Sequence, residues 1–320
     1  MPTFKSVGLI LRDLGFFLAG SADLAAENSK AGPDLYPIDF SYQLARLPTY
    51  FSPLDHDGIP LCPIRGLGNR YLFSRIAAYG LVHWNEARKR GNDPAYLRTF
   101  LRTAQWVHDR VDNGRYPHDF ALAGMSAGWI SCISQGELAS LLVRAYWHTG
   151  ERRYLLAAER AVGPLCIPMA DGGLLSALPD GSPFFEEYPN SRINLVLNGC
   201  LYALVGLLDV TRAAREAGRP SSLEPYAEAV LKSLEKNISH WDEAGWSTYD
   251  YKQPGERIHN LNTMTYHVLQ TTFLRRIAEQ CRSEPLAIVA ERWSRSGKSL
   301  RRRLAAFAQK VQYRLKKGYV

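Results

Sequence analysis

Two adjacent carboxylates, a phenol and a proline stand together at Glu186-Glu187-Tyr188-Pro189. A carboxylate shielded from water becomes a stronger base, and a phenol beside it donates or relays a proton, so the quartet suits proton transfer. Proline pushes the residue before it out of the helical region, which puts Tyr188 in extended backbone. An apolar run from Leu195 to Val210 comes next, with Asn198-Gly199 near its start, and reads as a helix bracing the loop. The same residues also serve as an exposed acidic turn ahead of a core helix, and the quartet alone does not separate the two readings.

Two later stretches carry matching groups. One is Gly245-Trp246-Ser247-Thr248-Tyr249-Asp250-Tyr251-Lys252, and the other is Asn262-Thr263-Met264-Thr265-Tyr266-His267 at a helix start. As plain structure they are an aromatic β-like hairpin and a capped helix. As chemistry they add the phenols of Tyr249 and Tyr266 to that of Tyr188, and an ammonium at Lys252. Earlier in the chain, Trp129 offers a flat face to a sugar and Gln135 an amide to sugar hydroxyls. Core packing of Trp129 and helix capping by Ser134 account for that stretch equally well.

The elements that must position these groups are helical. Apolar spacing and stop signals predict helices over Leu72–Arg90 and Ala95–Val111, separated by Gly91-Asn92-Asp93-Pro94. The pattern repeats at Glu137–His148 with a helix to about Val162, at Leu195–Glu216 with Leu223–Ile238, and at Asn262–Cys281 with a last helix beyond Pro285. Long loops at 112–135, 164–194 and 239–261 separate the pairs, and loops of that length in a compact domain are usually functional. The expected fold is all-α: an α/α toroid, an incomplete barrel of helical hairpins, with a short irregular N-terminal segment. An open α-solenoid is the alternative. The expected division is 1–50 as an amphipathic segment and linker, 51–293 as the catalytic domain, and 294–320 as a basic amphipathic tail.

Composition narrows the function. The chain has 320 residues, 46% hydrophobic and 22% charged, enough apolar material for a core. Its five cysteines are scattered without a CxxC pair, so neither a zinc site nor a disulfide framework is indicated. No metal or cofactor is expected. The net charge is +8, yet residues 295–320 hold nine bases and no acid, so removing them leaves the body at −1. The basic character belongs to the tail, and nucleic acid is not an expected partner. The apolar stretch Val7–Gly20 is broken by Arg12 and Asp13, which suits an amphipathic helix and not a span or a clear signal peptide. The expected location is cytoplasmic or peripheral to a membrane.

The chain resembles the C-terminal helical domain of the D-glucuronyl C5-epimerases over roughly residues 50–280. The resemblance is carried by Asp57-Gly58-Ile59-Pro60, Ala78-Tyr79-Gly80-Leu81, Gly128-Trp129 with Ser134-Gln135-Gly136, and Leu142-Val143-Arg144-Ala145-Tyr146. It continues through Glu186-Glu187-Tyr188-Pro189, Leu197-Asn198-Gly199 with Gly206-Leu207, Tyr249-Asp250 and Tyr266-His267. It implies an α/α toroid and an acid/base constellation of Glu187, Tyr188, Tyr249 and Tyr266. Lys252 falls where the family usually has a substrate-binding arginine. Gln135, Trp129, Tyr79, Asn198 and Arg192 complete the expected substrate-binding set.

The expected reaction is therefore C5 epimerisation of a uronate in a glucuronate-containing polysaccharide, of the D-glucuronate to L-iduronate type. A polysaccharide lyase using the same C5 proton, or a non-catalytic glycan-binding or assembly protein, are the alternatives. The expected partners are an anionic uronate polysaccharide and, for the tail, a membrane or polyanion; self-association as a homodimer is open.

Overall fold

A computed structural model describes residues 4–20, 26–27, 34–46, 49–122, 124–190, 194–253 and 255–317. The described chain is mostly helical, as expected, with a few two- and three-residue strands. In chain order the helices are α1 (Phe4–Ala19), α2 (Ser41–Arg46), α3 (Phe73–Lys89), α4 (Pro94–Asp109), α5 (Cys132–Thr149) and α6 (Arg152–Val162). Then come α7 (Leu197–Glu216), α8 (Glu224–Asn237), α9 (Met264–Cys281), α10 (Glu284–Lys298) and α11 (Leu300–Lys317). Among the described residues no helix is long and apolar enough to cross a membrane.

Local chemistry sets the boundaries. Asp93 accepts the Ala95 N–H at 2.8 Å and Pro94 opens α4, a pairing in which proline gives up no helical hydrogen bond. Gly150, at φ 72°, closes α5. One boundary departs from the sequence reading: α5 begins at Cys132, not Glu137. Ser131 is extended and N-caps it, so Ser134-Gln135-Gly136 lie inside the helix instead of in the loop before it.

The chain forms two compact units: Met1–Glu27, Val196–Asn198 and Leu234–Val320 make one, and Asn28–Leu195 with Gly199–Ser233 make the other.

In the larger unit α3 and α5 are buried on most sides, whereas α4 and α6 bury one face. Gly136 of α5 lies against the backbone of Tyr202 and Ala203 in α7, where a Cβ would sit 2.6 Å from the Tyr202 carbonyl oxygen. Side chains at this crossing would force the two helices apart. Further along, Arg144 pairs with Asp209 at 2.7 Å, both buried, and Ser140 donates to the same carboxylate at 2.8 Å. Losing one partner would strand a buried charge, at a cost of about 3–5 kcal/mol.

The smaller unit joins the two ends of the chain. Phe17 of α1 stacks on Trp246 with ring centroids 5.6 Å apart and meets Phe307 of α11 at 5.5 Å. Arg314 pairs with buried Asp13 at 2.6 Å, and Arg303 donates to the Leu18 carbonyl at 3.0 Å. The basic stretch is thus two-sided. Arg303, Lys310 and Arg314 face the unit, while Arg301, Arg302 and Lys316 are exposed. Ala306 and Phe307 of this stretch pack with Phe17 and Trp246, so deleting it would open that core.

Candidate active site

In the larger unit the short antiparallel pair Leu175–Ala177 and Pro183–Phe185 delivers the chain to Glu186, with Phe184 and Phe185 fully buried. Glu186 is itself fully buried and ties the backbone of Glu187 and Tyr188 to that of Asn194 and Leu195. Its Oε1 accepts the N–H groups of Glu187 (3.0 Å) and Tyr188 (3.4 Å), and its Oε2 accepts those of Asn194 (3.2 Å) and Leu195 (3.0 Å). Burial pushes its pKa up, and the four donors oppose that. The acidic turn is therefore an internal clamp, not an exposed surface.

Glu187 is also buried. Burial is the main cause that lifts its pKa to about 8; the Tyr188 hydroxyl, donating to it, works the other way, and the negative charge of Glu186 adds to the rise. Its Oε2 has no hydrogen-bond partner among the described residues. Gly199 makes room for it: a Cβ there would lie 2.7 Å from the Glu187 Cβ and 3.2 Å from the Cys132 sulfur. Burial holds the Cys132 and Cys200 thiols protonated, so no thiolate competes as a base.

Beside this loop is a cavity of about 290 Å³, lined by Trp129, Pro189, Asn190 and Arg115 among others. One face of Trp129 stacks on His118 (3.9 Å, 10°) and its indole N–H donates to the Phe120 carbonyl at 2.8 Å. Gln135 is elsewhere than expected. It is fully buried, accepts the Tyr116 N–H at 3.0 Å and donates to the carbonyls of Gly114 (2.7 Å) and Ala161 (2.5 Å). Its amide fixes the 114–116 turn and offers nothing to a sugar. Tyr79 is buried between Phe51 and His83, with centroids at 5.2 and 4.4 Å. Arg192 lies outside the described residues.

The smaller unit holds the other phenols. Tyr249 and Tyr266 meet edge to face with centroids 5.6 Å apart, and Tyr266 is 38% exposed. The Tyr249 backbone is pinned at both ends: its N–H donates to the Asn260 carbonyl at 2.8 Å, and its carbonyl accepts the Leu197 N–H at 3.2 Å. Lys310 of α11 donates to the Asn260 side chain at 2.7 Å, and burial lowers its pKa to about 8. Sequence reasoning missed this contact because it treated the tail as separate. Lys252 donates to the Asp242 carbonyl and to Glu243, the latter at 3.3 Å. Asn198 is buried, and its Oδ1 has no partner among the described residues. His267 is a brace: Ser247 donates to its Nδ1 at 2.9 Å, and its Nε2 lies 3.0 Å from the Trp293 carbonyl, the hydrogen-bonding pattern of a neutral ring.

Among the described residues Asp55, His56 and Asp57 lie close enough to share a metal ion. Asp55 Oδ1 already accepts the N–H groups of Asp57 and Ile59, and its Oδ2 accepts the Tyr71 hydroxyl at 2.6 Å, so its carboxylate is committed to the turn.

A family model described as the D-glucuronyl C5-epimerase C-terminus matches residues 108–295. The chain belongs to this family. A D-glucuronyl C5-epimerase of Caenorhabditis elegans is 29% identical over 215 residues, covering 62% of this chain and 35% of the relative. The chain thus spans about a third of that relative's length. An uncharacterized protein of Methanocaldococcus jannaschii is 32% identical over 277 residues, covering 77% of this chain and 84% of that protein. The C5-epimerase match takes in Trp129, Glu187, Tyr188, Asn198, Tyr249, Lys252 and Tyr266, and leaves Tyr79, α1 and α11 outside it.

Proposed function

We propose that this chain is a uronate C5-epimerase acting on a glucuronate-containing polysaccharide, built on an α/α toroid. The observation that carries this reading is Glu187: a buried carboxylate, raised to about 8, with one oxygen unpartnered among the described residues. Such a group is a far stronger base than an exposed glutamate and is poised near neutral pH.

The C5 proton is a weak acid because its loss adds charge to an existing carboxylate. In the proposed cycle the Glu187 carboxylate takes that proton and becomes neutral, while the electron pair moves into the enolate. The Tyr266 hydroxyl then delivers a proton to C5 from the opposite face; Glu187 releases the proton it took to solvent, and the tyrosinate recovers one from solvent through Tyr249, which restores both groups. Tyr188 orients Glu187. Lys252 is the cation assigned to the developing dianion, since stabilising the charge that builds up in the transition state usually contributes most to such reactions. An anionic polymer or membrane surface is the partner proposed for the exposed face of the tail.

Incubation of glucuronate polymers with the protein in heavy water tests the reading. Deuterium at C5 together with iduronate is expected. A new ultraviolet absorbance from a 4,5-unsaturated uronate would make it a lyase, and no exchange on any uronate polymer would leave only glycan binding.

A further inference from the structure

We propose that the cavity beside Pro189 is a uronate subsite in which Arg115 receives a sugar carboxylate while Trp129 stacks on the ring. This rests on the epimerase reading for the class of substrate but not for the geometry. The cavity of about 290 Å³ lies wholly within the larger unit, and Arg115, Met125, Trp129, Met169, Pro189 and Asn190 are among its lining residues. That volume is at the small end of ligand sites and suits about one sugar ring.

Arg115 is half-buried, and among the described residues no carboxylate lines the cavity around it. Its guanidinium makes no ion pair among the described residues, unlike Arg144, which is matched by Asp209. Its position is nonetheless fixed. Arg115 and Asp112 exchange backbone hydrogen bonds at 2.7 and 3.1 Å, and Gln135 holds the residue on each side, the carbonyl of Gly114 and the N–H of Tyr116. The buried amide therefore acts on substrate only through Arg115, as a positioning residue. Trp129 is equally constrained, by His118 on one face and by Phe120 at its N–H.

A fixed guanidinium without a protein anion and a fixed indole in one small cavity select a ligand with both a carboxylate and a flat apolar face. A hexuronate has both. A free inorganic anion would leave the indole unused, and a neutral sugar would leave the guanidinium unpaired. Pro189 and Asn190 come directly after Tyr188, so the ring in this subsite adjoins the proton-transfer loop.

Calorimetric titration of the full chain with a glucuronate-containing oligosaccharide, and with the same oligosaccharide after its carboxylates are reduced to alcohols, tests this. Arg115→Ala is expected to weaken the acidic ligand by about 10–100-fold, the usual range for a charge-assisted hydrogen bond, and to leave the reduced ligand unchanged. Arg115→Lys should recover only part, because an ammonium lacks the two-pronged fork. Trp129→Ala should weaken both ligands. An equal loss on both ligands in Arg115→Ala, no loss on either, or no binding of the acidic oligosaccharide to the wild type would overturn the subsite. Deuterium exchange at C5 is read separately. Exchange by the wild type with unaltered binding by Arg115→Ala would leave the epimerase and remove the subsite; charge-specific loss without exchange would do the reverse.

Discussion

Glu186 Oε2 accepts the Leu195 N–H at 3.0 Å, and Leu195 holds a φ of +50°. A non-glycine residue in the left-handed region costs about 1–3 kcal/mol and persists only where its surroundings enforce it. One carboxylate thus sets both the Glu187-Tyr188 backbone and the turn just ahead of α7. Glu186→Gln replaces an oxygen that accepts two N–H groups with an NH₂ that repels them. Activity should fall, and the base limb of the pH–rate profile should move to lower pH, because the neighbouring charge that helps raise Glu187 is gone. An unshifted limb would show that Glu186 only holds the fold.

Gly199 and Glu187 share a space that admits no further atom. Gly199→Ala must push Glu187 aside. A displacement of about 1 Å typically lowers turnover by about 10²-fold. We expect kcat to drop by that order while the circular dichroism spectrum is kept.

Stability should vary with pH in two opposed ways. Burial lowers His118 and His267 to about 4. Below about pH 6.5 the unfolded histidines take up protons and the folded ones do not, so stability falls from there to about pH 4. Glu187 has a folded value near 8 against 4.5 ordinarily. The unfolded state ionises first, so this group costs stability as pH rises from about 4.5 to 8. Glu187→Gln should therefore raise Tm at pH 8, with a gain that disappears below about pH 4.5. Equal Tm values for the two proteins at pH 8 would contradict the buried, raised carboxylate.

Much of the fold was legible in the residues, for identifiable reasons. Helix pairs announce themselves through strong punctuation such as Asp93-Pro94 and Gly150. The start of α5 did not, because Gly136 reads as a breaker, and its reason is a backbone contact with α7 some seventy residues on. Gln135 looked like a sugar ligand for the same reason: an amide in an apparent loop gives no sign of the carbonyls it will meet. Arg115 carried no signal, since nothing in its neighbourhood marks a guanidinium left unpaired by an acid. The tail was legible as a basic amphipathic helix, but its partner was not: Phe307 and Ala306 place it against Phe17.

At the chain ends Leu11, Leu18, Leu304 and Leu315 are 40–64% exposed, and Arg301, Arg302 and Lys316, on the same helix as the last two, are exposed as well. Apolar side chains ringed by bases are the composition of a surface-lying helix. The full chain should sediment with vesicles containing anionic lipid, less so at high salt, and Leu304→Ser with Leu315→Ser should weaken this without altering the fold. Salt-insensitive or absent binding would remove the membrane role, and binding to soluble polyanion alone would assign the face to the polymer.

The most direct measurement is hydrogen exchange at C5 in heavy water by the wild type, Glu187→Gln and Tyr266→Phe on one glucuronate polymer. The wild type should incorporate deuterium and invert C5. Each variant should lose inversion by about 10²–10⁴-fold, the usual share of a general acid or base, and the double variant should be little worse than either, since inversion needs both groups. Tyr266→Phe, which keeps the Glu187 base, should still exchange label without inverting. Near wild-type inversion by Glu187→Gln would contradict the account.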